Sequence, residues 1–192
     1  MINVTLKDGV VKQFDAPLTV FDIAQAISAG LARNACAGIV DGTTQDLRFV
    51  VDKDCKVEIC TFDDEEGKKA FRHTASHIMA QAVKRLFPET KLAIGPAIAD
   101  GFYYDFDRET PFTEDELKHI EEEMKKIVKE DLKLERFELP RAEAIKLMEE
   151  RQEPYKVELI NDLPEDAVIS FYKQGEYTDL CAGPHLMSTK PV

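Results

Sequence analysis

Two short patterns in this chain carry groups able to move protons near neutral pH: His73-x-x-x-His77 and Cys181-x-x-x-His185. They hold three of the four histidines. Residues four apart share one face of a helix, so His73 and His77 point the same way. The apolar stripe of that helix reads Phe71, Ala75, Ile78, Ala82 and Leu86. At about 100° per residue, the two histidines lie on nearly the opposite side of it. The pattern therefore predicts that they are not core histidines, and two solvated surface histidines are the plain alternative. Gly183-Pro184 stops a helix from continuing, so Cys181 and His185 are expected in a tight loop after a strand. Loops at strand ends are common places for functional side chains. The fourth histidine, His119, sits on an acidic helix and is expected to be exposed and without a role.

One cysteine and three histidines are the right donors for tetrahedral zinc. They suit metal-free hydrolysis equally well. Imidazoles orient or deprotonate water near neutral pH, and a thiol helps to bind or position a substrate. Spacing alone does not choose between the two.

The elements that must position these residues fall into two groups. Ile2, Val4 and Leu6 alternate with polar residues as in a half-buried strand. Asp8-Gly9 is a hairpin turn, and a second strand follows through Phe14. Thr19 caps a helix with Asp22 at the capping-box position. Strand-like pieces return at 36–40, 49–51 and 57–60, with Asp41-Gly42 as a further turn. Two strands, one helix and more short strands give the order of a ubiquitin-like β-grasp. No catalytic constellation falls within it, so it reads as a small binding or spacer module.

Asp63-Asp64-Glu65-Glu66 opens the second group, since acidic residues suit the positive end of a helix dipole. The helix is expected over about 65–86, stopping near Pro88. A strand is expected over Gly101–Phe106. Thr113, with Glu116 as box partner and Phe112 stapled on Leu117, starts another helix, whose stripe is Leu117, Ile120, Met124 and Ile127. A strand over 132–139, a helix over about 140–150, a short segment carrying Tyr155-Lys156, and strands over 168–172 and 176–180 complete the pass. The predicted class is α+β: a β-grasp domain over residues 1–61, then an α+β domain over 62–192 with helices packed on a mainly antiparallel sheet.

Composition narrows the function classes. The 192 residues are 44% hydrophobic, enough for a core. No apolar run approaches the roughly 20 residues of a membrane span, and the start does not read as a signal peptide, so a cytoplasmic protein is expected. None of the four cysteines forms a C-x-x-C pair, and Cys36, Cys55 and Cys60 are expected to be free packing residues. A net charge of −12 argues against nucleic-acid binding. However, acid concentrates at 63–66 and 114–123, while Lys68, Lys69, Arg72, Lys84, Arg85 and Lys91 leave room for a locally basic face.

Arg72-His-Thr-Ala-Ser-His77, Ala93-Ile-Gly-Pro96, Gly101-Phe-Tyr-Tyr-Asp105, Tyr155-Lys156 and Asp179-Leu-Cys-Ala-Gly-Pro-His185 follow one another in this order. In this the chain resembles the threonyl-tRNA synthetases of the bacterial and eukaryotic type, along essentially all of its length. The first group resembles that family's TGS domain and the second its editing domain. Alanyl-tRNA synthetase editing domains share the two Cys/His pairs but lack the leading unit.

The resemblance implies hydrolysis of the ester in serine-charged tRNA(Thr). His73, His77, Cys181 and His185 would line the pocket, Lys156 and Asp179 would lie near the chemistry, and Tyr104 would form a wall. It implies no metal or cofactor in this region. Zinc and ATP with magnesium are expected only in a synthetic core whose class II motifs this chain does not contain. The implied partner is the acceptor end of tRNA(Thr) carrying serine, without a membrane, and the parent enzyme is expected to dimerise through the absent core. The chain stops seven residues after His185. It is read as an N-terminal piece of a longer protein, and whether the editing domain is complete stays open. Two rivals remain: a zinc-dependent alanyl-type editing domain, and a non-catalytic RNA-binding module.

Overall fold

The alternation of Ile2, Val4 and Leu6 becomes strand β1 (Ile2–Leu6), which turns at Gly9 (φ 84°) into the antiparallel β2 (Val11–Phe14). The computed structural model describes residues 1–15 and 17–192. After β3 (Leu18–Thr19), Thr19 caps α1 (Val20–Ile27). The Thr19 hydroxyl accepts from the Asp22 N–H, and the Asp22 carboxylate accepts from the Thr19 N–H, the reciprocal box that the sequence predicts. A second helix, α2 (Ala29–Asn34), was not expected; Ser28 caps it by accepting from the Leu31 N–H.

β4 (Ala35–Val40), β5 (Thr43–Gln45), β6 (Val50–Val51) and β7 (Cys55–Thr61) follow. The sheet runs β2-β1-β7-β4-β5, with β1 parallel to β7 and the other neighbours antiparallel; β3 and β6 pair apart from it. Val20, Ile23 and Ala24 of α1 pack with Val4, Leu47 and Val57, closing the β-grasp core. Cys36, Cys55 and Cys60 are buried and free, and burial pushes the Cys36 and Cys60 thiols up to about 11. They pack and do not react.

α3 (Glu65–Leu86) has the predicted bounds. Its first turn lies so close to the end of β7 that a Cβ on Gly67 would sit 1.8 Å from the Thr61 carbonyl oxygen, which only glycine permits. β8 (Lys91–Leu92), β9 (Ala97–Ile98), β10 (Gly101–Phe102) and β11 (Phe106–Asp107) come next. The single strand expected over Gly101–Phe106 is thus two short ones, because β10 pairs with β9 and β11 with β8, leaving residues 103–105 between two ladders.

α4 (Glu114–Glu130) carries the predicted box between Thr113 and Glu116. The predicted staple fails: Phe112 packs on Phe87 and Phe106, and Leu117 stays 53% exposed. Ile120 and Ile127 instead bury against Ile78, Ala82 and Val83 of α3. β12 (Leu134–Glu138), α5 (Arg141–Glu150), α6 (Pro154–Asp162), β13 (Ser170–Gln174) and β14 (Tyr177–Leu180) complete the chain's elements. The segment of Tyr155-Lys156, left without a class from sequence, is therefore a helix. Its signal was Pro154 at the first helical position, where a missing N–H costs nothing. β12-β13-β14 form an antiparallel sheet, and Phe171 of β13 packs with Met148 of α5 and Ile160 of α6.

The described residues fall into two compact units. One comprises Met1–Arg72 with Gly183–Met187 and Pro191, the other His73–Ala182 with Ser188–Lys190 and Val192. Relative to a boundary after residue 61, the first turns of α3 group with the first unit, and the chain returns to that unit just beyond Cys181. No helix among the described residues is long and apolar enough to cross a membrane.

Candidate active site

Residues 74–83 of α3 are buried on almost every side, only Met79 being partly exposed. This overturns the placement of His77 away from the core: it is 2% exposed, while His73, one turn earlier, is half-buried. The two rings meet edge to face with centroids 5.2 Å apart, as i and i+4 spacing requires. Helical periodicity separates an apolar face from a wet one only when one side of the helix meets water. Here both sides are covered, so the second face holds polar groups that the site must satisfy.

Cys181 follows β14 directly. Its N–H donates to the Ser170 carbonyl at 3.0 Å, and the Ser170 hydroxyl donates to the Cys181 carbonyl at 2.7 Å, which pins it to β13. The thiol sits 3.3 Å from Nε2 of His73. His73, His77 and Cys181 offer donor atoms within 4.8 Å of one another, a set that could also hold a metal ion.

Beside this trio lies a buried ion pair. Lys156 Nζ, from α6, is 2.8 Å from Asp179 Oδ1, from β14, and both side chains are almost wholly buried. The other carboxylate oxygen accepts from the hydroxyls of Tyr104 at 2.6 Å and Tyr177 at 2.9 Å. It also lies 3.6 Å from His77 Nε2, too long for a good hydrogen bond but close enough for a strong electrostatic effect. Tyr104 stacks on Phe106 and lies so close to Gly95 that a Cβ there would stand 2.1 Å from its ring. The Ser76 hydroxyl, within 2.8 Å of the carbonyls of both His73 and Gly95, ties that wall to α3.

Burial dominates the protonation states. It pushes His77 down to about 3, with Asp179 pulling only partly the other way, so the imidazole is neutral. Burial pushes Asp179 upward, but the Lys156 charge, His77 and hydrogen bonds from Lys156 and Tyr104 outweigh it, and the carboxyl stays below its ordinary range. Burial and then Asp179 raise Tyr104 and Tyr177 well above the ordinary phenol, so both remain donors.

A testable consequence follows from His77. Its folded pKa lies below the unfolded value, so between about pH 6.5 and 3 the unfolded chain binds the extra proton. Stability should be flat in this respect above pH 6.5 and fall as the pH drops below it, by at most about 1.4 kcal/mol per pH unit for one proton. All five tyrosines lie between residues 103 and 177 and there is no tryptophan, so tyrosine fluorescence reports on the second unit. Urea unfolding at pH 7, 6, 5 and 4.5 should show this slope, and His77→Gln should flatten it. An equal slope in the variant would mean that other groups carry the acid sensitivity.

The second unit thus brings together six of the residues singled out from sequence: His73, His77, Tyr104, Lys156, Asp179 and Cys181. His185, four residues beyond Cys181, lies in the returning segment of the first unit and is buried there, its backbone N–H donating to Asp46 at 3.1 Å. His119 is exposed, as expected. Sequence reasoning missed Tyr177, whose ring lies 5.8 Å from that of His77 and whose hydroxyl holds Asp179. The strand alternation held the signal, since residues 177 and 179 share a sheet face. A cavity of about 250 Å³ lies beyond Tyr177, and two of its cations are paired within it, Arg85 with Glu176 at 2.6 Å and Lys84 with Glu153 at 2.8 Å.

Comparison with known proteins gives two findings. Residues 2–61 match the TGS domain family. Over all 192 residues the chain is 64% identical to a threonine-tRNA ligase of Clostridium perfringens and 64% identical to that of Acetivibrio thermocellus. Over 189 residues it is 61% identical to that of Clostridium kluyveri. The chain spans about 30% of the length of each of these relatives.

Proposed function

From a chain that matches the threonine-tRNA ligases along its whole length and carries a TGS domain, we propose that its second unit is an editing site. It would hydrolyse the ester of tRNA(Thr) mischarged with serine. The observation that carries this reading is the His73, His77 and Cys181 trio set against the buried Lys156–Asp179 pair. Ester hydrolysis needs a positioned water, a group to take and return its proton, and a field that favours negative charge on the carbonyl oxygen.

In this reading His73, the half-buried imidazole, takes a proton from the attacking water and returns it to the departing ribose oxygen. Serine and a free tRNA end are the products. Neutral His77, fixed between His73, Tyr177 and Asp179, orients its neighbour. Cys181 lines the approach, and Lys156 supplies positive charge. Asp179 already engages Lys156, Tyr104 and Tyr177, which favours its orienting His77 over its binding the substrate's amino group. Tyr104 walls the pocket, held by Asp179 and Gly95. His185, reached four residues after Cys181, is proposed as the fourth member of the site. The need for such a site is physical: serine differs from threonine by one methyl, worth only about 1–3 kcal/mol of discrimination in a single pocket.

The parent protein would charge tRNA(Thr) with threonine using ATP, as a dimer, in the cytoplasm. Its tRNA partner meets a chain that is acidic overall, and Lys84 and Arg85 are already paired with Glu153 and Glu176, so contacts are expected on the remaining basic residues between 68 and 91.

Deacylation of Ser-tRNA(Thr) and Thr-tRNA(Thr) by purified protein containing the whole editing domain, with zinc measured in the same preparation, tests the proposal. Serine should be released many times faster than threonine, without stoichiometric metal. Release of neither amino acid would leave an RNA-binding module as the better reading. One tightly held zinc per chain, lost together with activity on chelation, would favour a metal-dependent site on the same donors.

A further inference from the structure

We propose that Asp46 and Arg48, in the TGS domain, are positioning residues for His185, so that this domain takes part in editing and is more than a spacer. The inference rests on the reading of His185 as a member of the hydrolytic site. All the contacts that carry it lie within the first unit.

The loop between β5 and β6 carries Asp46-Leu47-Arg48. Leu47 is wholly buried in the β-grasp core, which anchors the loop and leaves its two charged neighbours to act as a clamp. One oxygen of Asp46 organises Arg48, accepting from its backbone N–H at 2.8 Å and from its guanidinium at 2.9 Å. The other accepts from the backbone N–H of His185 at 3.1 Å. The guanidinium donates to the Leu186 carbonyl at 2.9 Å and reaches those of His185 and Met187 at 3.4 Å each. Arg48 and Asp46 are 18% and 11% exposed in their side chains, so these bonds are shielded from water.

The clamp therefore grips three successive residues by their main chain. Residues 185–187 lie in no strand ladder, so their buried backbone groups must find partners elsewhere, and Asp46 and Arg48 supply them. A planar guanidinium can span several carbonyls at once, whereas an ammonium is a point charge. Fixing the main chain at residue 185 fixes the origin of its imidazole. Displacement of a catalytic group by about 1 Å can cost up to roughly 10²-fold in rate.

The experiment uses purified protein containing the whole editing domain with Arg48→Ala, Arg48→Lys and Asp46→Asn, each alone and combined with His185→Ala. Two readouts are taken: single-turnover deacylation of Ser-tRNA(Thr), and the imidazole ¹H–¹⁵N resonances of the four histidines. His185→Ala assigns the His185 signals by their loss.

Arg48→Ala should displace the His185 resonances, leave those of His119 in place, and lower the deacylation rate about tenfold at unchanged tRNA affinity. Arg48→Lys, which still folds with a positive charge, should recover little of the rate. In the His185→Ala background the loss on adding Arg48→Ala should vanish, because residues acting as one unit are not additive. Unmoved His185 resonances in all three variants overturn the proposal, as does full additivity with His185→Ala. Absence of deacylation in the unaltered protein would instead defeat the editing reading, and the resonances would still decide whether the clamp positions His185.

Discussion

His73→Ala should slow deacylation of Ser-tRNA(Thr) by about 10²-fold or more, the low end for loss of a positioned acid–base group. His73 is the half-buried imidazole of the cluster, within 3.3 Å of the Cys181 thiol, whereas His77 is sealed and neutral. The defect should therefore appear in the rate of the chemical step and leave tRNA affinity alone. His119→Ala, on the exposed face of α4, is the matched control and should change nothing. The assay needs protein containing the whole editing domain, so that an incomplete fold does not mimic a chemical defect. If His73→Ala hydrolyses at the normal rate while fold and tRNA affinity are kept, the site lies elsewhere.

Asp179→Ala should have the largest effect on stability. The carboxylate faces Lys156, Tyr104 and Tyr177 and lies near His77, with almost no access to water. Its removal leaves an ammonium buried without a counter-charge and two phenol hydroxyls without their acceptor. Breaking a buried ion pair in this way costs about 3–5 kcal/mol, much more than an exposed pair is worth. Urea unfolding followed by tyrosine fluorescence should show a midpoint shifted strongly downward. Replacing both partners, Lys156→Met with Asp179→Leu, should recover much of the midpoint, because the stranded charge is gone. The double variant should nevertheless fail to deacylate Ser-tRNA(Thr). An unchanged midpoint in Asp179→Ala would show that the pair is wetter and looser than its geometry implies.

Much of this molecule is local, and what is local was legible. Thr19 and Asp22, and likewise Thr113 and Glu116, are three residues apart, so their reciprocal caps follow from chain geometry alone. The bounds of α3 follow from the acids at its start and Pro88 beyond its end. Histidines at i and i+4 must share a helix face, and a Gly-Pro after Cys181 must end regular structure. Those constraints sufficed for the α+β class and for singling out His73, His77, Cys181 and His185 as candidates; Lys156, Asp179 and Tyr104 entered only through the resemblance that the order of the motifs carries.

Tertiary structure alone decided what those residues face. Asp179 gathers groups from α3, from the stretch between β10 and β11, from α6 and from β14 itself, and only its bond to Tyr177 is near in sequence. No periodicity reports such a convergence, because each member looks from its own element like an ordinary polar or aromatic residue. Burial of His77 was hidden for a related reason: a stretch of helix buried on almost every side offers little wet face for its pattern to reveal. The clamp on His185 joins positions 137 to 139 residues apart through backbone carbonyls, which carry no side-chain signature at all. The sequence by itself determined which groups could do chemistry; the packing of distant elements determined which are charged, which are neutral, and what holds them in place.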